Sequence, residues 1–264
     1  MIHIHSPEPL IGNCLAQLPF MCAVAEARGD RVRLTGGFNK HIAPLLEPLP
    51  IVFEPEGSGT GADFTLQVWP AYQTGLRTKL HMVQCYFHDF GWPVPAMPIA
   101  LPFKTEPCGL PPGIVLSPFS GSDLGTNTKL WPHDRWVQVI QTLRRLGLAE
   151  HVYLLGTHKA DSTEPYAVAG IEPVFDRPLT QVLDLMRQAP LVLTIDTGTG
   201  HLAHLGSIKH HVMIYADCQP PIWAEAPRAT IVRGPKPANI SVDQVLEAAR
   251  QVLESPCQVK VITC

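Results

Sequence analysis

The chain has 264 residues, of which 45% are hydrophobic and 16% charged, with a formal net charge of −3. This is the balance of a folded globular protein, long enough for one large core or two small ones, and it excludes a disordered chain. No Lys/Arg-dense run with interleaved aromatics offers a field for nucleic-acid phosphates, and no stretch is long and apolar enough to span a bilayer.

Met1-Ile-His-Ile-His-Ser-Pro7 lacks the positive start and apolar core of a secretory leader, so a cytoplasmic location is expected, with contact to a membrane surface left open. Ile2–His5 alternates like a short first strand, and Ile11, Leu15, Leu18, Cys22 and Ala25 recur at helical spacing up to a stop at Gly29-Asp30. Strands are then predicted at Arg31–Thr35, Ile51–Phe53 and Phe64–Trp69, with a helix over Asn39–Glu47. The glycines from Gly57 to Gly61 lack the Lys-Ser/Thr ending of a P-loop and read as a flexible turn.

Prolines crowd the stretch from Pro93 to Pro112; each removes an N–H donor and fixes φ, so the segment reads as an interdomain linker. The pattern then restarts. Strands are predicted at Ile114–Ser117, Val152–Leu155, Pro173–Phe175, Leu191–Ile195, Val212–Tyr215 and Thr230–Arg233. Helices fall near His133–Leu146, Ser162–Val168, Leu179–Arg187, from Asp196 to Ser207, and at Ser241–Glu254, the last with Ser241 as N-cap. Alternation of this kind predicts an α/β protein of two Rossmann-like, doubly wound domains, residues 1–112 and 113–264, whose strand C-terminal ends face a shared cleft.

The seven cysteines (Cys14, Cys22, Cys85, Cys108, Cys218, Cys257 and Cys264) form no Cys-x-x-Cys pair and are odd in number, so reduced, buried thiols are expected. His3/His5, His201/His204 and His210/His211 stand without carboxylates or thiols at ligand spacing, which argues against a metal site. Neither a Gly-x-Ser-x-Gly elbow nor a Gly-x-Gly-x-x-Gly turn stands where a hydrolase or an NAD enzyme needs it. Trp92, Trp131, Trp136 and Trp223 read as packing residues, Trp223 also as a candidate for the cleft border.

Four stretches converge on the predicted cleft. They are Gly12-Asn-Cys-Leu-Ala-Gln-Leu-Pro19, the polar loop Ser117–Pro132 with Lys129-Leu-Trp-Pro132, the strand end Leu154-Leu-Gly-Thr157, and Asp196-Thr-Gly-Thr-Gly-His-Leu202. The last joins an apolar strand to a helix start, where unpaired N–H groups and the helix dipole can receive a phosphate oxygen. Asp196 and Thr197 can equally be plain helix caps, and this stretch alone leaves both readings open.

Taken together and in this order, the four stretches resemble glycosyltransferase family 9, the ADP-heptose:lipopolysaccharide heptosyltransferase family. That family shows a Gly-Asp-x-Leu-x-x-Leu-Pro start, a loop ending Lys-x-Trp-Pro, a strand ending Leu-Gly, and Asp-Thr-Gly-x-x-His-Leu. The resemblance implies the two-domain GT-B fold, here with a shortened N-terminal domain on the acceptor side. It also implies a C-terminal domain that holds a nucleotide sugar and a final helix packing back toward the N-terminal domain. The implied reaction is inverting, metal-independent transfer of heptose or another hexose-like sugar from a nucleoside diphosphate, with no cofactor, to a glycan, lipid or protein acceptor. Donor-binding candidates are Ser120, Gly121, Lys129, Thr157, Asp196, Thr197, Gly198 and His201.

Two positions depart from the family pattern. Asn13 stands where the family has an aspartate taken as general base, and a carboxamide cannot accept a proton at ordinary pH. The glutamate expected after the Leu-Gly strand is replaced by Thr157-His158-Lys159. His5, Glu8, His88 and Asp89 are the candidate substitutes for the base. A non-catalytic sugar-nucleotide-binding or protein-interaction module of the same fold is the alternative, and an epimerase of that shape the third reading.

Overall fold

A computed structural model describes residues 1–55, 57–120, 129–148, 150–157, 162–216 and 229–254. The first half forms a four-stranded sheet from β1 (Ile2–His5), β2 (Val32–Thr35), β3 (Ile51–Glu54) and β4 (Phe64–Thr65), with helices α1 (Ile11–Arg28), α2 (Val68–Thr78) and α3 (Met82–Asp89). Its order is β3-β2-β1-β4 and every pairing is parallel.

The second half is a six-stranded sheet of β5 (Ile114–Ser117), β6 (Val152–Gly156), β7 (Glu172–Phe175), β8 (Val192–Ile195), β9 (His211–Ala216) and β10 (Thr230–Gly234). It is all parallel in the order β10-β9-β8-β5-β6-β7, the doubly wound arrangement. Its helices are α4 (His133–Arg145), α5 (Leu179–Gln188), α6 (Gly198–Leu205) and α7 (Val242–Glu254). Strand order reverses between β1 and β4 in one sheet and between β5 and β8 in the other. Ligands of open parallel sheets bind beyond the strand C-terminal ends at such points.

The reason α1 is the spine of the molecule is visible in its composition. Residues Cys14 to Cys22 are all buried, because α1 is packed by its own sheet on one side and by α3 and α6 on others. A helix apolar all round needs cover all round. Leu15, Leu18 and Met21 therefore share one core with Leu183 and Met186 of α5 and Leu202 and Leu205 of α6. The other face of the second sheet buries Leu116, Leu154, Leu193 and Ile214 under Trp136, Ile140 and Leu143 of α4 and Val245, Ala249 and Val252 of α7.

Several sequence expectations change. The fourth strand ends at Thr65; Val68 and Trp69, read as strand because they are β-branched and aromatic, open α2 instead. Neither α2 nor α3 is anticipated in the sequence reading. The segments Lys40–Leu46 and Glu164–Ala169 are 3₁₀ turns rather than α-helices, each carrying a proline that withholds an N–H.

The proline-rich stretch before β5 has no strand or helix, as expected, yet it is a packed strap. Ile99, Leu101 and Phe103 are buried, and backbone N–H groups of Leu101, Lys104 and Glu106 donate to the carbonyls of Leu205, Leu45 and Thr180. The final helix also differs from the expectation that it packs back toward the first domain. The apolar stripe of α7 seats on α4, β9 and β10 of its own sheet, because Val245, Ala249 and Val252 are the residues that finish that core. Residues 255–264 lie outside the described residues.

Candidate donor and acceptor site

β8 delivers Asp196 to the switch point of the second sheet. The carboxylate is buried and its Oδ2 lies 2.7 Å from Lys129 Nζ. Lys129 reaches it because Trp131, two residues on, is anchored: its ring is buried edge-on to Trp136 and its Nε1–H donates to the Ile240 carbonyl at 2.9 Å. The tryptophans of this motif are thus packing residues, as expected, and the lysine is the product of that packing.

α6 starts at Gly198, and its N-cap Thr197 makes no side-chain cap bond. The capping reading of Asp196 and Thr197 is therefore not what the geometry shows. Instead Thr197 Oγ1 pairs with Thr199 Oγ1 at 2.7 Å, and Thr199 Oγ1 with Ser117 Oγ at 2.5 Å, a line of hydroxyls joining the end of β5 to the start of α6. Ser117 and Thr199 lie within two of the four motif stretches but are not among the donor-binding candidates named from the sequence; Ser117 is the last residue of β5, and strand C-terminal ends are where ligands sit.

His201 is half-buried on the first turn of α6, and burial pushes its pKa below the ordinary histidine range, with Lys129 acting in the same direction and Asp196 opposing. Its ring lies against α1. A Cβ on Gly12 would come within 2.7 Å of His201 Cδ2, and one on Gly198 within 3.0 Å of Ile11 Cβ. The N-termini of α1 and α6 thus touch, and both dipoles direct positive potential into the same space.

Asn13 follows Gly12 at this junction. Its Nδ2 donates to Glu8 Oε2 at 3.2 Å, while Glu8 Oε1 accepts the N–H of Val68 at 3.0 Å. His5, at the end of β1, shares the Thr35 hydroxyl with His3 (3.2 and 2.9 Å), its ring pressed against Gly36 and Gly59. His88 and Asp89 end α3 and belong to no strand end; Asp89 accepts from the Thr74 hydroxyl.

The structure therefore gathers Lys129, Asp196, Thr197, Gly198, His201 and Asn13. Thr157 is exposed beyond β6, and Ser120 is half-buried on the loop after β5. Gly121 and Trp223 lie outside the described residues. Cys14, Cys22, Cys85 and Cys108 are buried and in no disulfide, and burial pushes the Cys14 thiol up to about 12. Among the described residues no cluster of three or more His, Cys, Asp or Glu is placed to hold a metal ion, and no helix is long and apolar enough to cross a membrane. A surface cavity of about 600 Å³ between α4 and α7, lined by Arg135, Gln141 and Asp243, includes none of the candidate residues.

Comparison with known proteins gives the family and the fold. The family model of glycosyltransferase family 9 (heptosyltransferase) matches residues 110–245, just over half of the chain. None of the curated proteins gives a significant match. Among solved structures, the iron-containing dodecameric glycosyltransferase TibC from enterotoxigenic E. coli H10407 superposes with a TM-score of 0.71 at 18% identity, over 96% of this chain and 76% of that one. A glycosyl transferase family 9 protein from Veillonella parvula DSM 2008 gives 0.72 at 15% identity, over 96% and 97%. The E. coli heptosyltransferase WaaC, solved with ADP, gives 0.65 at 15%, over 97% and 100%. At such identities the likeness concerns the fold, which is the two-sheet GT-B arrangement. With the family model matching the half that carries the Lys129–Asp196 pair, the chain belongs to glycosyltransferase family 9.

Proposed function

We propose that the protein transfers a sugar, heptose or a related hexose-like residue, from a nucleoside diphosphate to a hydroxyl acceptor, with inversion and without a metal. The observation that carries this reading is the Lys129–Asp196 ion pair beside the start of α6. A departing diphosphate needs its charge balanced, and the Lys129 ammonium beside the start of α6 is the kind of cation that does so. The backbone N–H groups at the start of α6 supply further donors, and the line of hydroxyls from Ser117 through Thr199 to Thr197 runs beside them. Adenosine diphosphate is the first base to test, because WaaC, of similar fold, was solved with ADP. Acceptor binding falls to the first sheet, whose helix α1 meets α6 where Gly12 packs on His201.

A second reading, a nucleotide-sugar-binding module without transfer, is favoured by Asn13, whose carboxamide cannot take a proton. Calorimetric titration with ADP, GDP and UDP separates the donor site from its absence. Binding of one diphosphate, weakened about 10- to 100-fold by Lys129→Ala and also reduced by Asp196→Ala, supports the reading, since a charged hydrogen bond contributes about 1.5–3 kcal/mol. Failure of all three to bind removes it. Incubation with ADP-heptose then separates the two readings: a transferase releases ADP, and a binding module leaves the donor intact.

A further inference from the structure

We propose that Glu8 is the catalytic base that takes the acceptor's proton, an inference that rests on the sugar-transfer reading above. A hydroxyl that attacks an anomeric carbon needs a proton acceptor at the place where it is held. In the first sheet that place is the crevice beyond β1 and β4, where strand order reverses. Glu8 closes this crevice from the loop after β1. One carboxylate oxygen accepts the N–H of Val68, just past β4, and the other accepts the Asn13 amide at the start of α1. The carboxylate is half-buried and held from two sides, and each of its oxygens keeps a second lone pair.

The other groups around the junction serve less well. Asp196 is paired with Lys129, and burial weakens His201 as a base. Asn13 has no basic site, and its amide donates to Glu8. The His5 ring is tied to Thr35 through Nδ1 and packed against two glycine backbones. Asn13 and Gly12 are consecutive on α1, and Gly12 packs on His201, so Glu8 stands one hydrogen bond from the helix end that meets the donor side.

In the step itself the acceptor O–H bond breaks, its proton passes to a Glu8 oxygen, and its electron pair forms the new bond to the anomeric carbon. The bond from that carbon to the diphosphate breaks, and its electron pair leaves on the diphosphate oxygen. The carboxyl proton is then returned to solvent.

The test measures ADP release from ADP-heptose, with water or an added polyol as acceptor, alongside ADP binding by calorimetry. Glu8→Gln should lower turnover about 100-fold or more while ADP affinity stays within about twofold, since general bases contribute 10²–10⁴ in rate. Glu8→Asp, which keeps a carboxylate on the loop, should retain more turnover than Glu8→Gln, and the acid limb of the turnover pH profile should be lost in Glu8→Gln, which a merely structural role of Glu8 does not predict. Glu8→Gln turning over at nearly the wild-type rate, or His5→Gln alone abolishing turnover, overturns the assignment. So does a wild-type protein that binds ADP but releases none from ADP-heptose, a result that leaves the donor site standing. A wild-type protein that binds no diphosphate instead removes the transfer reading itself.

Discussion

Gly12 shows how much of the site depends on a side chain that is not there. A methyl at this position would sit 2.7 Å from the His201 ring, far inside contact distance, and α1 is fixed on its other faces by its own sheet and α3. Gly12→Ala should therefore destabilise the protein by about 1–3 kcal/mol, the usual cost of overpacking, readable as a lower urea midpoint. If the α1–α6 junction also shapes the donor site, the same variant should weaken diphosphate binding, measured by titration. A variant with unchanged stability would show that the two helices are free to separate. The motif Gly12-Asn13 was recognisable in the sequence, but its partner was not: nothing in the spacing says that Gly12 meets His201, 189 positions later in the chain.

Among the elements, the long periodic ones were readable. α1, α4, α5, α7 and most strands match their expected spans within a residue or two, because their apolar positions recur at one period. α7 adds a capping box in which Gln244 N–H donates to Ser241 Oγ and Ser241 N–H to Gln244 Oε1. Ser241→Ala should cost about 1 kcal/mol in thermal or urea unfolding. α2 and α3 were unreadable because each is short and its ends are set by contacts, the Glu8–Val68 bond among them. The strap around Phe103 was read as a linker for the same reason: proline content describes the lack of regular structure and says nothing of burial. Phe103→Ala should remove about 3–5 kcal/mol, a loss that a loose linker would not show in thermal unfolding.

Over the whole molecule, buried histidines couple stability to pH. Burial lowers His81 and His211 from 6.5 to about 3, and each accepts or shares a hydrogen bond in the neutral form: Val83 N–H donates to His81 Nδ1, and His211 Nε2 lies 2.8 Å from Thr194 Oγ1. Below pH 6.5 the unfolded chain binds protons that the folded chain refuses until about pH 3. Stability is thus intact above this window and falls as pH drops through it, by up to about 1.4 kcal/mol per pH unit for each histidine. Urea unfolding at a series of pH values between neutrality and pH 4 reads this slope, and His211→Gln should reduce it by about half the histidine contribution. A flat profile would show that these rings titrate normally in the folded state.

Taken alone, the sequence determined the class of the protein: alternating strand and helix periods require parallel sheets, and the ordered motifs mark the family. It also determined which residues end the strands, and so placed Asp196 and Thr197 just past the C-terminal end of β8. Only the tertiary structure decided which of those ends meet. The Lys129–Asp196 pair depends on the seat of Trp131, and the helix junction depends on two glycines from different halves. The carboxylate nearest Asn13 depends on a crossover that brings Val68 back beside β1. The physical reason is that periodicity is a local property of the chain, whereas a site is assembled by contacts between segments whose separation along the chain carries no record of their meeting.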